Sequence, residues 1–229
     1  MKFVHNLLKV LISIPKSLFF NFRVLPFKQA VKIPFLIGYN TKIKLHPKSK
    51  ISIIGKISPL MIQYNFSSGS QGVAEMTTGR GYISVGPSGK IIFNGKAIFG
   101  KGMSIRCDSG ILKIGNNVST NRNCFISCTN SISIEDSCLI GWNTNIRDSD
   151  GHTIYDISTN ETINSSDSSV VIGSHTWLAA QVDILKGVHL SHDTIVGYNS
   201  CVTKSFEESN ILLAGYPAII KKRNISWKE

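Results

Sequence analysis

The first 74 residues of this 229-residue chain contain no aspartate or glutamate. They hold eleven of the 25 lysines and arginines, and Glu75 is the first acidic residue. The basic and acidic residues that remain are equal in number, so the net charge of +11 belongs to the first third of the chain. Such an asymmetry predicts an acidic partner, which is an anionic membrane surface, an acidic polymer or nucleic acid.

The chain also lacks a run of about 20 apolar residues, the length that a membrane-spanning helix needs. Its opening, MKFVHNLLKVLISIPKSLFFNF, is broken by charges and by Pro15, and no cleavage site of small residues follows, so it does not fit an export signal. Lys2, Lys9 and Lys16 are seven apart and lie near one helical stripe. We expect a short amphipathic helix, kinked or stopped near Pro15, that lies in a membrane interface or packs on its own domain or another subunit.

Cysteine is present, but without the C-x-x-C spacing of zinc and redox sites. The odd number of cysteines suits a reducing compartment better than a disulfide framework, and small buried apolar residues are the expected role. With 42% hydrophobic and 17% charged residues, the chain has the composition of an ordinary folded domain. The five cysteines are Cys107, Cys124, Cys128, Cys138 and Cys201.

A six-residue period replaces the spacings of helices and ordinary strands in the second half of the chain. A helix would turn such residues around its surface, because it has about 3.6 residues per turn. A period of six is typical of a parallel β-helix, in which three hexapeptides form one triangular coil and the recurring aliphatic residue points to the axis. From Val170 to Phe206 these positions are Ile172, Leu178, Ile184, Leu190, Val196 and Val202.

The same period extends upstream in groups separated by steps of eight or nine residues, which indicate extra residues at a corner. After Ile146 the period stops until Ile172, and the polar segment between them is far too long for a corner. A long loop extruded from a regular solenoid usually carries function. The upstream groups are Phe93, Phe99 and Ile105; Ile114, Thr120 and Ile126; and Ile134, Ile140 and Ile146.

We therefore predict an all-β solenoid in three parts. Residues 1–84 form a basic N-terminal segment with the helix and irregular starting coils, because terminal repeats are atypical. Residues 85–207 form the β-helix, with a loop extruded over residues 147–170. Residues 208–229 form a tail that ends the coils as a loop and a short helix or strand.

Four short motifs, combined with the hexapeptides, resemble the left-handed β-helix acyltransferases. The likeness covers about residues 110–223 and is strongest to galactoside and maltose O-acetyltransferases and to bacterial capsule or lipopolysaccharide O-acetyltransferases. The hexapeptides alone indicate only a fold, which some nucleotidyltransferases and carbonic anhydrases share. The resemblance implies a left-handed parallel β-helix that transfers an acetyl group from acetyl-CoA to a sugar hydroxyl, without a metal. The motifs are DGH (150–152), HTWLAA (175–180), VTK (202–204) and AGYPA (214–218).

The resemblance makes His152 the general base. A sugar hydroxyl is a poor nucleophile that must lose its proton as it attacks a thioester, and an imidazole with an ordinary pKa of about 6.5 can take that proton at neutral pH. Trp177 is implied to shape the pocket beside the thioester, and Asp150 to orient the ring or bind the acceptor. For Asp150 and Asp148, solvated loop acids or turn formers are an equal alternative.

The other implied contacts belong to the acceptor and to coenzyme A. The acceptor is expected to meet Asn121, Asp148 and Trp142, although a corner asparagine is often only a turn residue in the left-handed region. The backbone N–H near Ala180 is the implied donor to the oxyanion. Coenzyme A is expected to contact Ala180, Tyr198, Thr203, Lys204, Pro217 and Lys222, with the basic residues near its phosphates.

Three other functions fit parts of the sequence. A metal-dependent hydratase on this fold needs three convergent histidines, but the spacings of 14 and 3 between His175, His189 and His192 do not bring three rings to one corner. A nucleic-acid binder would explain the basic segment, yet no recognised nucleic-acid motif is present. A non-catalytic scaffold or a protein that binds anionic surfaces would have no need for the DGH and AGYPA motifs together.

The expected protein is therefore an acetyl-CoA-dependent O-acetyltransferase that modifies a sugar of a surface polysaccharide, capsule or lipopolysaccharide. In the family that it resembles, active sites lie between neighbouring subunits of a trimer, so we expect a homotrimer in which His152 faces Trp177 across an interface. We expect a cytoplasmic protein, held peripherally at the inner membrane face or drawn to an acidic polymer by its basic segment, and no nucleic-acid partner.

Overall fold

The computed structural model describes residues 2–67, 79–164 and 166–228, with side chains from Leu8 onward. Part of the predicted N-terminal segment (68–78), Ser165 of the predicted loop and the side chain of Lys2 in the predicted basic stripe lie outside the described residues.

Successive strands join three sheets in rotation, which we call A, B and C. Two helices, α1 (Lys2–Val24) and α2 (Phe27–Ala30), precede them. Sheet A contains β1 (Phe35–Ile37), β4 (Ile62–Ser67), β7 (Ala97–Gly100), β10 (Val118–Thr120), β13 (Leu139–Ile140), β16 (Trp177–Leu178), β19 (Ile195–Val196), β21 (Ile211–Gly215) and β22 (Ala218–Arg223). Sheet B contains β2 (Lys42–Leu45), β5 (Tyr82–Val85), β8 (Ser104–Cys107), β11 (Phe125–Cys128), β14 (Asn145–Arg147), β17 (Asp183–Ile184) and β20 (Cys201–Val202). Sheet C contains β3 (Lys50–Ile53), β6 (Lys90–Phe93), β9 (Ile111–Ile114), β12 (Ser131–Ile134), β15 (Val170–Ile172) and β18 (His189–Leu190).

Every strand from β1 to β21 pairs in parallel with the strand one coil away, and the predicted parallel β-helix is confirmed. All the positions predicted from the six-residue period are buried. Those in sheet B belong to one aliphatic ladder along the axis, which also includes Ile43 and Ile83 of the first coils and in which each residue is the register partner of the next. Its members are Ile43, Ile83, Ile105, Ile126, Ile146, Ile184 and Val202.

The stacked strands begin at Phe35, well before residue 85. The hexapeptide period is poorly kept in these first coils, but the in-register pairing of β1 with β4 and of β2 with β5 is regular. The division at residues 84 and 85 stays a prediction about domains, whereas the coils themselves start about fifty residues earlier in the sequence.

The three corners of each coil differ in length. We call them the A/B, B/C and C/A edges, after the sheets that each corner joins. The extra residues predicted from the steps of eight and nine lie at the B/C edge, at 108–110 and 129–130, and the long insertion after Arg147 leaves from the same edge. Residues 148–169 form this loop, which carries two isolated antiparallel bridges, Ser149 with Asp167 and Tyr155 with Thr162.

Helix α1 is longer than expected, because it runs through Pro15 to Val24 without stopping. Pro15 lies on the exposed side of the helix. A proline inside a helix removes one backbone hydrogen bond and leaves the carbonyl four residues earlier without its donor, here that of the exposed Leu11. Water can reach that carbonyl, which explains why the helix tolerates the proline.

The polar face of α1 packs against β1, the first strand of sheet A. The backbone N–H groups of Tyr39 and Ile37 donate to the hydroxyls of Ser13 (3.1 Å) and Ser17 (2.9 Å). The Asn21 amide accepts from Phe35 N–H (3.1 Å) and donates to the same residue's carbonyl (2.8 Å). Four helical residues rise about 6 Å and two strand residues about 6.6 Å, so side chains four apart can match every second residue of the strand.

The opposite end of the solenoid is closed by main chain. Strand β21 continues sheet A, and β22 turns back antiparallel to it, so the predicted tail forms a strand rather than a helix. The last described residues, 224–228, leave β22 and pass along the C/A edge, where the indole N–H of Trp227 donates to the His175 carbonyl (2.9 Å). Among the described residues no helix is long and apolar enough to cross a membrane.

Candidate active site

The A/B edge carries most of the expected ligand residues, and three of them form one column. Consecutive corners are stacked by backbone hydrogen bonds, from Gln181 N–H to the Trp142 carbonyl (2.9 Å) and from Asn199 N–H to the Ala180 carbonyl (3.0 Å). Trp142, Ala180 and Tyr198 therefore lie one above another in three successive coils. In the coil below, the equivalent position is held by Arg122, whose carbonyl accepts from Asn143 N–H (2.9 Å), and the expected acceptor residue Asn121 directly precedes it. The turn at Pro217 follows at the upper end of the same edge.

The sharpness of these corners comes from residues in the left-handed region. Asn143, Gln181 and Asn199 have φ values of 57°, 58° and 53°. Asn123 has the same conformation, whereas Asn121 does not, so Asn121 is not the left-handed turn residue of its corner. The turn leaves the backbone N–H groups of Trp142, Ala180 and Tyr198 without a partner among the described residues. Ala180 can therefore donate, but its N–H shares this property with equivalent corners.

His152 lies in the extruded loop, on the B/C edge. Its ring is exposed and has no hydrogen-bond partner among the described residues, and its carbonyl accepts from the Asn164 amide (3.3 Å). The A/B edge of the same coil is separated from this loop by strand β14, a width of about 10 Å for three residues. Within the described part of the chain, no hydrogen bond or ring contact joins His152 to Trp177 or to the A/B column.

Asp150 is bonded to loop and coil rather than to the histidine ring. Its carboxylate accepts from the Asn164 amide (2.9 Å) and pairs with the Lys186 ammonium from the next coil. These bonds, that of Lys186 first, lower the pKa of Asp150. Asn164 thus connects the Asp150 carboxylate to the His152 backbone, an arrangement that holds the loop near the histidine.

The expectation that Asp148 binds the acceptor is not supported by its environment. Its side chain is fully buried, and its two carboxylate oxygens accept from the backbone N–H groups of Thr129 and Asn130, both at 2.8 Å. These partners form the B/C corner of the preceding coil. Asp148 therefore fastens the base of the loop, which corresponds to the turn-forming alternative.

The expected coenzyme A residues do not share one edge. Ala180, Tyr198 and Pro217 belong to the A/B edge, whereas Thr203 and Lys204 follow β20 and lie at the B/C edge of the last coil. Lys222 is an exposed residue of β22, paired with Leu212. The structure therefore brings together only part of this set within one chain.

Trp177 lies in the outward column of sheet A, 36% exposed, between the A/B and C/A edges. Its ring is 6.1 Å from that of Trp227, which stacks on His175 at 4.7 Å. His175 and Asp193 are corner residues one coil apart. Asp193 accepts from the Nδ1 atoms of His175 (2.6 Å) and His192 (2.7 Å), and these bonds, that of His192 first, lower its pKa.

A groove of about 680 Å³ follows the C/A edge beside this cluster. Lys96, Ser119, Ser137, His175, Trp227 and Lys228 contribute to its walls. None of the site residues expected from the sequence lines this groove, although Trp177 lies beside Trp227 of its wall. Among the described residues, no cluster of three or more His, Cys, Asp or Glu side chains is arranged to hold a metal ion.

Two groups of residues near the expected site were not among those expected from the sequence. Lys186 and Asn164 hold the extruded loop through Asp150. Lys186 could have been identified from the sequence, because it lies in the corner that follows Ile184, at the edge from which the loop leaves. The stacking of Trp227 on His175 had no signal in the hexapeptide period, since the tail is outside the repeat. The pairing of His175 with Asp193 does have one, because 18 residues are one full coil.

The comparisons with known proteins agree with this architecture. No family model matches the chain. It is 34% identical over 143 residues to the "Putative lipopolysaccharide biosynthesis O-acetyl transferase WbbJ" of Escherichia coli (strain K12), covering 57% of this chain and 71% of that protein. It is 35% identical over 97 residues to the polysialic acid O-acetyltransferase of Escherichia coli O1:K1 / APEC, covering 42% of this chain.

The match to the second relative is partial, since it spans 31% of that protein's length. The crystal structure of the polySia-specific acetyltransferase NeuO has a TM-score of 0.52 at 21% identity and covers 83% of this chain and 89% of that one, which shows a shared fold. The identity to WbbJ extends over most of that protein. The chain therefore belongs to the hexapeptide-repeat O-acetyltransferases.

Proposed function

We propose that this protein transfers an acetyl group from acetyl-CoA to a hydroxyl of a sugar in a bacterial surface polysaccharide, capsule or lipopolysaccharide. The observation that carries the proposal is the coil that contains both Trp142 at its A/B corner and the extruded loop with an exposed imidazole at its B/C edge. Family membership and the names of the relatives support the reaction and the class of acceptor.

His152 would act as the general base. Its exposed ring can accept the proton of an incoming hydroxyl, and histidine is the side chain that most often does so in general base catalysis. Asp150 is a positioning residue in this proposal, because its bonds to Lys186 and Asn164 hold the loop backbone at His152. Acetyl-CoA would supply the activated acetyl group as a thioester.

The A/B column fits a long flexible cosubstrate. It offers the indole of Trp142, the exposed ring of Tyr198 and a backbone N–H at Ala180 that has no partner among the described residues. A donor of this kind can stabilise negative charge that develops on a carbonyl oxygen. Thr203, Lys204 and Lys222 stay proposed contacts for the phosphates.

We place the active site between two copies of the chain. Since His152 and the A/B column are on different edges of one solenoid, the loop of one copy would meet the column of its neighbour, and repetition of this heterologous contact closes a ring such as the proposed trimer. The proposed compartment is the cytoplasm, at its membrane side, where acetyl-CoA and growing glycans are both accessible.

The base is tested by His152→Ala in the full chain. Transfer of labelled acetyl groups to the isolated surface glycan should fall by roughly a hundredfold or more, since general base catalysis contributes about 10²–10⁴ in rate. Binding of coenzyme A, measured by calorimetry, should be unchanged. Near-normal transfer would show that His152 is not the base. In that case the reaction itself would still be supported if the surface glycan of cells without this protein lacks the mass of the acetyl group.

The placement between copies is tested by mixing two inactive variants. The first variant, His152→Ala, lacks the base but keeps the A/B column and Trp177. The second, Trp177→Ala with Tyr198→Glu, keeps the base but disrupts the proposed acetyl-CoA side of the site. If the oligomers are dissociated and reassembled at equal amounts, about a quarter of the interfaces combine one intact loop with one intact column, and activity returns to about that fraction of wild type. A site contained in one chain would stay inactive in every mixture.

A further inference from the structure

The N-terminal helix has its polarity reversed relative to an ordinary surface helix. Its buried side includes Ser13, Ser17 and Asn21, which bond to β1, and its outer side is apolar. A helix that packs on a domain normally buries its apolar stripe and turns polar residues to water. The outer residues of α1 that are at least two fifths exposed are Leu8, Leu11, Ile12, Ile14, Leu18, Phe19 and Phe22.

The apolar surface continues beyond the helix. The ring of Phe27 in α2 lies 6.0 Å from that of Phe22 and is 72% exposed, and Val31 is exposed next to it. Soluble monomers rarely expose contiguous apolar patches of this kind, and those that do usually contact a partner or a membrane. We call this surface the outer face of α1.

Basic residues border the outer face. Lys9 and Arg23 follow one side of the apolar stripe, and Lys28 is next to Phe27. Lys16, midway between Lys9 and Arg23, instead donates to the backbone carbonyls of Tyr39 and Thr41 and ties the helix to the coils. No acidic residue occurs anywhere in the first 74 positions. A partner that complements the outer face therefore has an apolar interior and a negatively charged surface.

We propose that the outer face of α1 lies in the headgroup region of an anionic phospholipid membrane. Helices that combine an apolar face with flanking lysines and arginines bind in this way, with the axis in the membrane plane. A second copy of the chain fits less well, because a symmetric contact through this face would bring two identical basic segments together.

The hydrogen bonds to β1 give this anchor a fixed orientation. Because α1 lies along the first strand of the solenoid, its outer face points away from the end of the coils. The coils would then project from the membrane, with their three edges, including the A/B column, accessible from the side. This docking does not depend on the reaction that the protein catalyses.

The test is flotation of the full chain with vesicles that contain phosphatidylglycerol and with vesicles of phosphatidylcholine alone. Wild type should float with the anionic vesicles, less with the neutral ones, and less at high salt, because the Debye length falls. Leu11→Gln with Leu18→Gln should weaken anionic binding by roughly tenfold or more, since each leucine loses burial in the lipid. Lys9→Gln with Arg23→Gln should weaken it by roughly fivefold for each charge.

The matched control is Ile54→Gln with Ile219→Gln, which removes two aliphatic side chains of similar exposure elsewhere and should leave flotation unchanged. Deletion of residues 1–30 is not suitable, because it would uncover β1. Equal flotation of wild type and the Leu11/Leu18 variant would overturn the proposal. A second result would also overturn it: wild type stays in the soluble fraction, and the Leu11/Leu18 variant sediments as a smaller oligomer than wild type. That result would identify the outer face of α1 as a contact between copies. Acetyl transfer to a soluble acceptor, measured in parallel, separates this outcome from failure of the proposed reaction.

Discussion

Each end of the solenoid has an open strand edge, and the two edges are covered by different parts of the chain. At the N-terminal end the open edge of β1 is satisfied by side chains of α1, through Ser13, Ser17 and Asn21. At the C-terminal end the edge of β21 is satisfied by the backbone of β22. An uncovered strand edge exposes unpaired N–H and C=O groups and invites association with other chains.

The difference between the two caps determines the surface that each end presents. The hairpin leaves its side chains free to face water, and Lys221, Lys222 and Arg223 are exposed there. The polar side chains of the helix bond to β1, so its apolar residues lie on the exposed side. The cap made of side chains is also the more sensitive to substitution, because one mutation removes its hydrogen bonds.

The largest effect is expected from Asn21→Ala. The substitution leaves both the N–H and the carbonyl of Phe35 buried without the bonds of 3.1 and 2.8 Å that Asn21 provides. Each buried backbone group that loses its partner costs about 1–3 kcal/mol, so the free energy of unfolding should fall by about 3 kcal/mol. Urea denaturation measures this loss.

The control for this prediction is Lys222→Ala in the opposite cap. Its backbone pairs with Leu212 regardless of side chain, so its free energy of unfolding should change by less than about 0.5 kcal/mol. Equal losses in the two variants would mean that the side chains of α1 do not stabilise the edge of β1.

A smaller loss is expected from Ser17→Ala. Its hydroxyl accepts from Ile37 N–H at 2.9 Å and donates to the Ser13 carbonyl at 2.7 Å inside the buried face. The Ile37 N–H is left without this partner, and the Ile37 carbonyl loses a longer contact with the hydroxyl (3.4 Å). The Ser13 carbonyl keeps its helical bond, so about 1.5 kcal/mol should be lost. The substitution should increase the hydrogen-exchange rate of the Ile37 amide more than that of the Ile195 amide in the same sheet. An equal increase at both amides would contradict a local effect of the cap.

The regular coils were predictable from the sequence because they repeat a single physical requirement. Each hexapeptide buries one residue on the axis, so Ile126 or Ile184 could be assigned from spacing alone. The first coils were not, since β1 to β3 are joined by irregular connections that break the period while keeping the pairing. The polar residues of α1 did have a signal: Ser13, Ser17 and Asn21 are four apart in an apolar helix.

The candidate site was predictable only in part, because it depends on how edges are arranged rather than on which residues are present. Trp142 was expected to contact the acceptor, and Ala180 and Tyr198 to contact coenzyme A; the stacked corners place all three in one column. For Asp148 the sequence left two roles open, because a buried acid that holds a loop and an exposed acid that binds a ligand look alike in a sequence. The hydrogen bonds of 2.8 Å to Thr129 and Asn130 distinguish them.

The smallest expected effect is a difference in acid stability between the N-terminal cap and the later coils. The cap of α1 uses hydroxyls and an amide, which do not titrate, and the first 74 residues have no carboxylate to protonate. In the later coils Asp193 accepts from His192 and His175, and these bonds lower its pKa. A carboxylate whose pKa is lower in the folded state stabilises the fold above its ordinary pKa, and this contribution is lost as the pH falls through the folded value.

Amides of Trp177 and Ile195 should therefore lose exchange protection at a higher pH than those of Phe35 and Ile37 when the protein is acidified below the ordinary range for aspartate. The reason is twofold, since the later coils lose the Asp193 bonds and also gain positive charge as all fourteen acids of the chain, which follow residue 74, are protonated. Asp193→Asn should make the loss of protection near Trp177 less dependent on pH. Hydrogen exchange resolved by segment provides the measurement, and earlier opening of β1 would indicate that repulsion among the basic residues of the N-terminal segment outweighs the loss of carboxylate bonds in the later coils.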